Sequence, residues 1–298
     1  RGSIHSGFGK VTADIGIRNI IDKYRPMEIG GQISTEGLKI NKIVDNIPVG
    51  KCTMRSGLSA TLGKNGPEMT IDSLKVDHLE VLNYGYTGIA AAGTFSQDAF
   101  NGRIVCSDPN LNFLFQGIFS LSSKTQNALY QFYANLGYAD LHALNIDKRG
   151  TSKVSFTTQA NFTRVSGEDI IGNIDVNDIS LEDDHGIHNI GDIEISSHAR
   201  NDMNRVKFAS SFADISYVGS KFFASFMRDL QTVTTKKELP SLYSDPSSTW
   251  DGNRYDLSFR FHDTKDLLSF IAPGAYIADS TALTLSIGND GAMEAKLK

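Results

Sequence analysis

The chain has 298 residues, 40% hydrophobic and 21% charged, with a formal net charge of −5. That balance excludes an intrinsically disordered chain and offers no basic field for a nucleic-acid partner. No stretch approaches the roughly 20 apolar residues of a membrane-spanning helix. The start, Arg1-Gly2-Ser3-Ile4-His5, is polar and lacks Met, and Glu294-Ala295-Lys296-Leu297-Lys298 stops inside a strand-like pattern. The chain is therefore expected to be an internal segment of a longer protein.

In chain order, the first strand signal is Val11-Ala13-Ile15-Ile17, after a Gly7-Phe8-Gly9 too short for a phosphate loop. Cys52 and Cys106 each sit in a strand pattern; they show no metal spacing and are expected to pack as small apolar groups, a disulfide remaining the alternative. Gly57-Leu58-Ser59-Ala60-Thr61 lacks the last glycine and the following helix of a nucleophile elbow. Alternation then marks Met69 with Ile71, Val76 to Val81 with Leu79 between, Ile104, Leu111-Phe113-Phe115 and Phe132-Ala134-Leu136. It continues through Val154-Phe156, Val176 to Leu181 with Ile179, Ile193-Ile195 and Val206-Phe208, with Phe212 beyond. Asn65-Gly66, Asn101-Gly102, Asp251-Gly252 and Asp290-Gly291 predict tight turns.

One helix is predicted over Ser220 to Gln231, from Phe222, Phe223, Phe226 and Leu230, with residues 236–240 ending it. Two clear strands follow, Leu257-Phe259-Phe261 after Tyr255, and Leu283-Leu285-Ile287.

Blocks recur about a hundred residues apart. Val76-Asp77-His78-Leu79-Glu80-Val81 corresponds to Val176-Asn177-Asp178-Ile179-Ser180-Leu181. Arg103-Ile104 corresponds to Arg205-Val206, Phe113-Leu114-Phe115 to Ile215-Ser216-Tyr217, and Gly117 to Gly219. Such repetition predicts one continuous repeat-built body over residues 1–298, with units near 60–160 and 161–262 and a partial unit to the end. The expected fold is all-β: a long curled antiparallel sheet forming an elongated open groove, with one short helix. A strand with one apolar face must bury it, and one short helix cannot cover so many. Side chains such as Ile71, Phe113, Phe208 and Phe259 therefore either pack as core or line a trough that takes an apolar guest.

The polar cluster Glu182-Asp183-Asp184-His185-Gly186-Ile187-His188 has the residue types of a metal site, but its glycine and its place after a strand predict a solvated turn. Asn161-Phe162-Thr163 matches a glycosylation sequon, a short pattern that often arises by accident. No pair of carboxylates has acid–base spacing. No catalytic residue, cofactor or metal is expected.

Certain phrases carry a resemblance: Ile71-Asp72-Ser73-Leu74-Lys75-Val76, Leu82-Asn83-Tyr84-Gly85-Tyr86, Gly93-Thr94-Phe95, and Phe100-Asn101-Gly102-Arg103-Ile104. Others are Asp108-Pro109-Asn110-Leu111-Asn112-Phe113, Tyr133-Ala134-Asn135-Leu136-Gly137-Tyr138-Ala139-Asp140-Leu141, Asn161-Phe162, Gly172-Asn173-Ile174 and Glu238-Leu239-Pro240-Ser241-Leu242. From about residue 30 onward this succession resembles the TamB (translocation and assembly module) proteins of Bacteroides-type bacteria, within the AsmA-like group. The resemblance implies a periplasmic segment of a protein anchored in the inner membrane. It implies phospholipid acyl chains as cargo, and an outer-membrane TamA-like barrel partner contacted outside this segment. The expected groove lining is then Ile71, Val76, Leu79, Val81, Ile104, Leu111, Phe113, Phe115, Phe132, Leu136, Phe156, Val176, Ile179, Leu181, Ile193, Ile195, Val206, Phe208, Phe212, Leu257, Phe259, Phe261, Leu283 and Leu285. A packed adhesive or scaffold solenoid is the alternative. The open ends of the sheet, expected near Val11–Ile17 and Leu283–Ile287, predict self-association.

Overall fold

The computed structural model describes residues 1–21, 24–44, 46–63, 66–96, 98–121, 128–166, 169–233 and 251–298. Asn65 of the first predicted turn, and residues 236–242, lie outside them. The fold is all-β, an antiparallel sheet of eighteen strands, and it divides into two compact units. Unit 1 comprises Arg1–Ser123, Leu129–Gln159 and Ser180–Ile187; unit 2 comprises Lys124–Ala128, Ala160–Ile179 and His188–Lys298.

Unit 1 holds β1 (Gly2–Ser6), β2 (Gly9–Arg18), β3 (Met27–Lys39), β4 (Val49–Gly63), β5 (Gly66–Val81), β6 (Tyr84–Tyr86), β7 (Ile89–Ser96), β8 (Ala99–Asp108), β9 (Leu111–Ser120) and most of β10 (Ala128–Asp140). Each pairs antiparallel with its sequence neighbour, except that the long β5 pairs with both β6 and β7. β11 (Ser152–Ser166), β12 (Asp169–Asp183) and β13 (Gly186–Arg200) contribute to both units. Unit 2 continues with β14 (Met203–Ser210), β15 (Ala213–Gly219), helix α1 (Phe223–Val233), β16 (Tyr255–Phe261), helix α2 (Lys265–Ile271), β17 (Ala282–Ile287) and β18 (Met293–Leu297). The repeated sequence blocks fall on β5, β8 and β9 in the first copy and on β12, β14 and β15 in the second.

Turn chemistry explains three of the reversals. Leu82-Asn83 and Asn201-Asp202 have positive φ at both residues and join strands whose flanking residues pair directly. That is the mirror-image turn matching strand twist. Asp290-Gly291 lies in the β17–β18 hairpin, as predicted, with Gly291 at φ +72°. The Asn101-Gly102 prediction fails. Both residues lie inside β8, and the chain reverses between Ser96 and Ala99, which pair. Asp251-Gly252 lies just before β16, after α1, and not in a two-residue turn between paired strands.

α1 forms where the apolar spacing places it, and the second helix, α2, is too short to show a period. Phe226 and Val233 are buried, and Leu230 packs beside them, so one helix face meets Tyr217, Tyr255, Leu257 and Ile287. Phe223, at 42% exposure, lies at its margin. Phe226 sits 5.7 Å from Tyr217 and 5.3 Å from Tyr255 between ring centroids. Phe226→Ala should cost about 3–5 kcal/mol, capped by the docking energy of α1 itself, since the helix can leave rather than bridge a cavity. Urea unfolding followed by circular dichroism measures it; a loss under about 1 kcal/mol would mean that α1 is not docked.

The outermost strands are not those expected from the sequence. β1 precedes the Val11–Ile17 strand, and β18 follows Leu283–Ile287, so β2 and β17 are each paired on both sides. Among the described pairings β18 is bonded on one side only. Lys298 and Ala282 exchange backbone hydrogen bonds, so by antiparallel alternation the N–H groups of Ala295 and Leu297 point away from β17. Strand addition at this edge predicts concentration-dependent self-association. Ala295→Pro removes an outward N–H without touching the β17 ladder and should lower it. Light scattering that stays monomeric in the parent from micromolar to millimolar concentration would contradict this.

Candidate functional site: an apolar sheet face

In a strand, alternate residues share a face. Tracing the registers of unit 1 from β2 to β10 gives four cross-strand rows on one face. The first is Val11, Thr35, Met54, Val76, Ile89, Cys106, Phe113 and Leu136. The second is Ala13, Ile33, Ser56, Leu74, Ala91, Ile104, Phe115 and Ala134. The third is Ile15, Gly31, Leu58, Ile71, Gly93, Gly102, Gly117 and Phe132. The fourth is Ile17, Ile29, Ala60, Met69, Phe95, Phe100, Phe119 and Tyr130. The opposite face carries Thr12, Ser34, Arg55 and Lys75 in one row, and Asp14, Gln32, Gly57 and Ser73 in another. Over β2 to β5 the segregation is clear; on β7 to β10 the opposite face is mixed, with Ala90, Val105 and Leu114 in one row and Ala92, Arg103, Gln116 and Tyr133 in the next.

Aromatic rings fill the middle of the apolar face. Phe95 and Phe100 lie 4.8 Å apart, Phe115 and Phe132 5.3 Å, and Phe119 and Tyr130 5.0 Å. Phe100, Phe115 and Ala134 are buried there, with Phe95, Ile104, Phe113 and Phe132 packed around them. The glycines of the third row make room for this. Gly117 has φ +141°, and a Cβ on it would meet the Gln131 carbonyl oxygen at 2.2 Å and Phe132 Cα at 2.6 Å. The Phe132 side chain thus lies over the bare backbone of its cross-strand partner, a pairing that pins register. Gly172 and Phe162 repeat the arrangement in unit 2.

Part of the fourth row stays open, although Phe100 and Tyr130 in it are buried. Ile17 is 51% exposed, Met69 38%, Phe119 39% and Leu121 59%. A cleft of about 460 Å³ lies here, lined by Pro67, Met69, Phe95, Ala99 and Leu121 with Gly66, Ser96 and Asp98. Among the described residues no α-helix belongs to unit 1.

The other end of the face is closed by polar bonds. Asp108 is buried beyond Cys106 on β8. Its Oδ1 accepts from the Tyr84 hydroxyl and from the Asn110 N–H at 2.9 Å; its Oδ2 accepts from the Thr87 N–H at 2.8 Å and the Thr87 hydroxyl at 2.9 Å. Burial pushes the carboxyl pKa upward, but these bonds outweigh it and hold it below the ordinary carboxylate range. Burial, with the bond to Asp108, pushes the Tyr84 hydroxyl up to about 12. Cys52 and Cys106 are free thiols, both buried, and burial raises the pKa of each.

In unit 2 the registers give matching rows: Ile195, Phe208, Ile215, Phe259, Leu283 and Leu297; then Ser197, Val206, Tyr217, Leu257, Leu285 and Ala295. The opposite face carries Ser196, Lys207, Ser216, Ser258, Thr284 and Lys296. Here α1 lies on the apolar side, against Val206, Leu257, Phe259 and Leu285 among others. Its Asp229 carboxylate accepts hydrogen bonds from the Tyr255 hydroxyl and from Asn253 Nδ2, the latter at 2.7 Å.

The expected lining residues therefore divide. Ile71, Val76, Leu79, Val81, Ile104, Leu111, Phe113, Phe115, Phe132 and Leu136 share the apolar face of unit 1. Ile193, Ile195, Val206, Phe208, Leu257, Phe259, Phe261, Leu283 and Leu285 share that of unit 2, with Phe212 at the β14–β15 turn, its ring 5.8 Å from Phe208. Phe156, Val176, Ile179 and Leu181 stand half-buried on β11 and β12. The sequence reading passes over Ile29, Ile33, Leu58, Met69, Phe95, Phe100 and Phe119 as lining, although Phe95 and Phe100 flank one reversal symmetrically and so had to pair.

The acidic–histidine cluster is a hairpin turn with local partners. Lys153 Nζ contacts Glu182 at 2.8 Å, the Thr151 N–H donates to Asp184, and the His185 N–H donates to Asp183. Among the described residues no group of three His, Cys, Asp or Glu is placed to hold a metal ion. Gly57 to Thr61 lie inside β4, and Gly7-Phe8 form the β1–β2 turn. Among the described residues no helix is long and apolar enough to cross a membrane. No family model, curated protein or solved structure matches this chain.

Proposed function

We propose that this chain is a non-enzymatic segment of a TamB/AsmA-like, periplasm-spanning protein that supports outer-membrane biogenesis by conducting phospholipid acyl chains along its apolar sheet face. One observation carries the reading. Unit 1 presents an apolar face across eight paired strands and leaves Ile17, Met69, Phe119 and Leu121 exposed along it. Contiguous apolar surface of this kind is costly in water at about 25 cal/mol per Å², and each methylene of a guest buried on it gains about 0.8 kcal/mol. The compartment, the inner-membrane anchor and a TamA-like barrel partner belong to the same proposal and rest on the resemblance of the spaced motifs. Native mass spectrometry of protein from a Gram-negative host should show phospholipid masses that survive gentle ionisation.

A second reading, an adhesive or scaffold solenoid with a packed interior, is favoured by one feature. In unit 2 the part of the corresponding face around Tyr217, Tyr255, Leu257 and Ile287 is covered by α1. Protein free of lipid after native purification would support it.

A further inference from the structure

We infer that the apolar face of unit 2 is a second acyl-chain site, and that α1 is the chain's own occupant of it, displaced when lipid enters. The inference rests on the lipid reading of unit 1. It starts from the repeat. β8 and β9 correspond to β14 and β15, with Ile104 matching Val206 and Phe113-Leu114-Phe115 matching Ile215-Ser216-Tyr217. In both units Ile104 and Val206, Phe113 and Ile215, and Phe115 and Tyr217 stand on the apolar side of the sheet, with Leu114 and Ser216 on the other. The difference lies in what covers them. Unit 2 has α1, whose Phe226, Leu230 and Val233 supply apolar contact where a guest chain would.

The construction of the connection lets α1 leave. In the sequence, α1 falls between β15 and β16, and those two strands pair directly. Their ends are clamped by the Ser220 N–H donating to the Arg254 carbonyl at 2.9 Å, and by the Arg254 N–H donating to the Ser220 hydroxyl at 2.9 Å. The β15–β16 ladder beyond that clamp runs from Gly219–Tyr255 to Ala213–Phe261 and uses no atom of α1. Between β9 and β10 the Leu129 N–H likewise donates to the Ser120 hydroxyl at 2.9 Å. The sheet therefore does not need the helix for its pairing. Among the polar contacts of α1 are those of Asp229, which accepts from Tyr255 and Asn253. Helix and acyl chain compete for one surface, so a change that loosens the helix must favour the chain.

The test uses the whole chain with a photo-reactive benzoylphenylalanine at position 119 or, separately, at position 259, exposed to vesicles of phosphatidylethanolamine and phosphatidylglycerol. In the parent, position 119 should label phospholipid and position 259 weakly or not at all. Phe226→Asp, which drives α1 off, should raise labelling at 259 several-fold and leave 119 unchanged. Asp229→Ala, which removes only the polar anchor, should raise it by less; it reads the same outcome should Phe226→Asp cost unit 2 its folded circular-dichroism signal. Labelling at 119 throughout, with no rise at 259 in either variant, would overturn the displaceable helix and leave the unit 1 reading standing. No labelling at 119 in any protein would instead remove the lipid reading on which the inference rests.

Discussion

Gly117→Val should cost unit 1 about 2–6 kcal/mol, a sum of about 1–3 for backbone strain and about 1–3 for overpacking. Two independent causes meet at this residue. Its φ of +141° lies where a β-branched side chain is not tolerated. The space its Cβ would enter is already taken by the Gln131 carbonyl and by Phe132. The strand cannot shift away, because Gly117 is paired on both sides, with Gly102 and with Phe132. Gly186→Ala separates the causes. Gly186 has a similar φ of +133° but nothing within 4 Å of the added carbon, so only the strain should register. Equal losses at the two positions would show that the close packing of Phe132 over Gly117 contributes nothing.

Asp108→Ala should cost about 3–5 kcal/mol, because it strands the half-buried Tyr84, Thr87 and Asn110 donors at once. The same bonds predict a pH dependence. The folded carboxyl has a lowered pKa, so its extra stabilisation is fully present above the unfolded value near 4 and is lost as pH falls through the folded value. Parent stability should therefore drop more steeply than that of Asp108→Asn as the medium is acidified below about pH 5. Parallel curves from urea unfolding at stepped pH would mean that the carboxylate charge is not what the network holds.

Much of this architecture is legible in the sequence because alternation is a local signal. Tyr255 to Phe261 and Leu283 to Ile287 announce their faces within a single strand, and the registers confirm those faces. What escapes is cross-strand. The dipeptide Asn101-Gly102 has turn composition, yet Gly102 is there for the row it shares with Gly93 and Gly117, which only pairing reveals. Gly30-Gly31 interrupts the alternation of β3, hiding Ile29 and Ile33 on the apolar face. Asp108 has no telling spacing because its donors come from Tyr84, Thr87 and Asn110 across two reversals. α1 is legible as a helix, but where it docks is not: its apolar stripe fits any apolar surface.

On the proposed reading an acyl chain reaches one face of unit 1 and not the other. A photo-reactive residue placed in turn at Met69, Phe119, Thr94 and Gln116 tests it against phospholipid vesicles, because the first two positions stand on the apolar face and the last two on the opposite one. The account predicts lipid adducts at 69 and 119 and none at 94 and 116, the period of two that a pleated strand imposes. Equal labelling on both faces, or none on either, would contradict it.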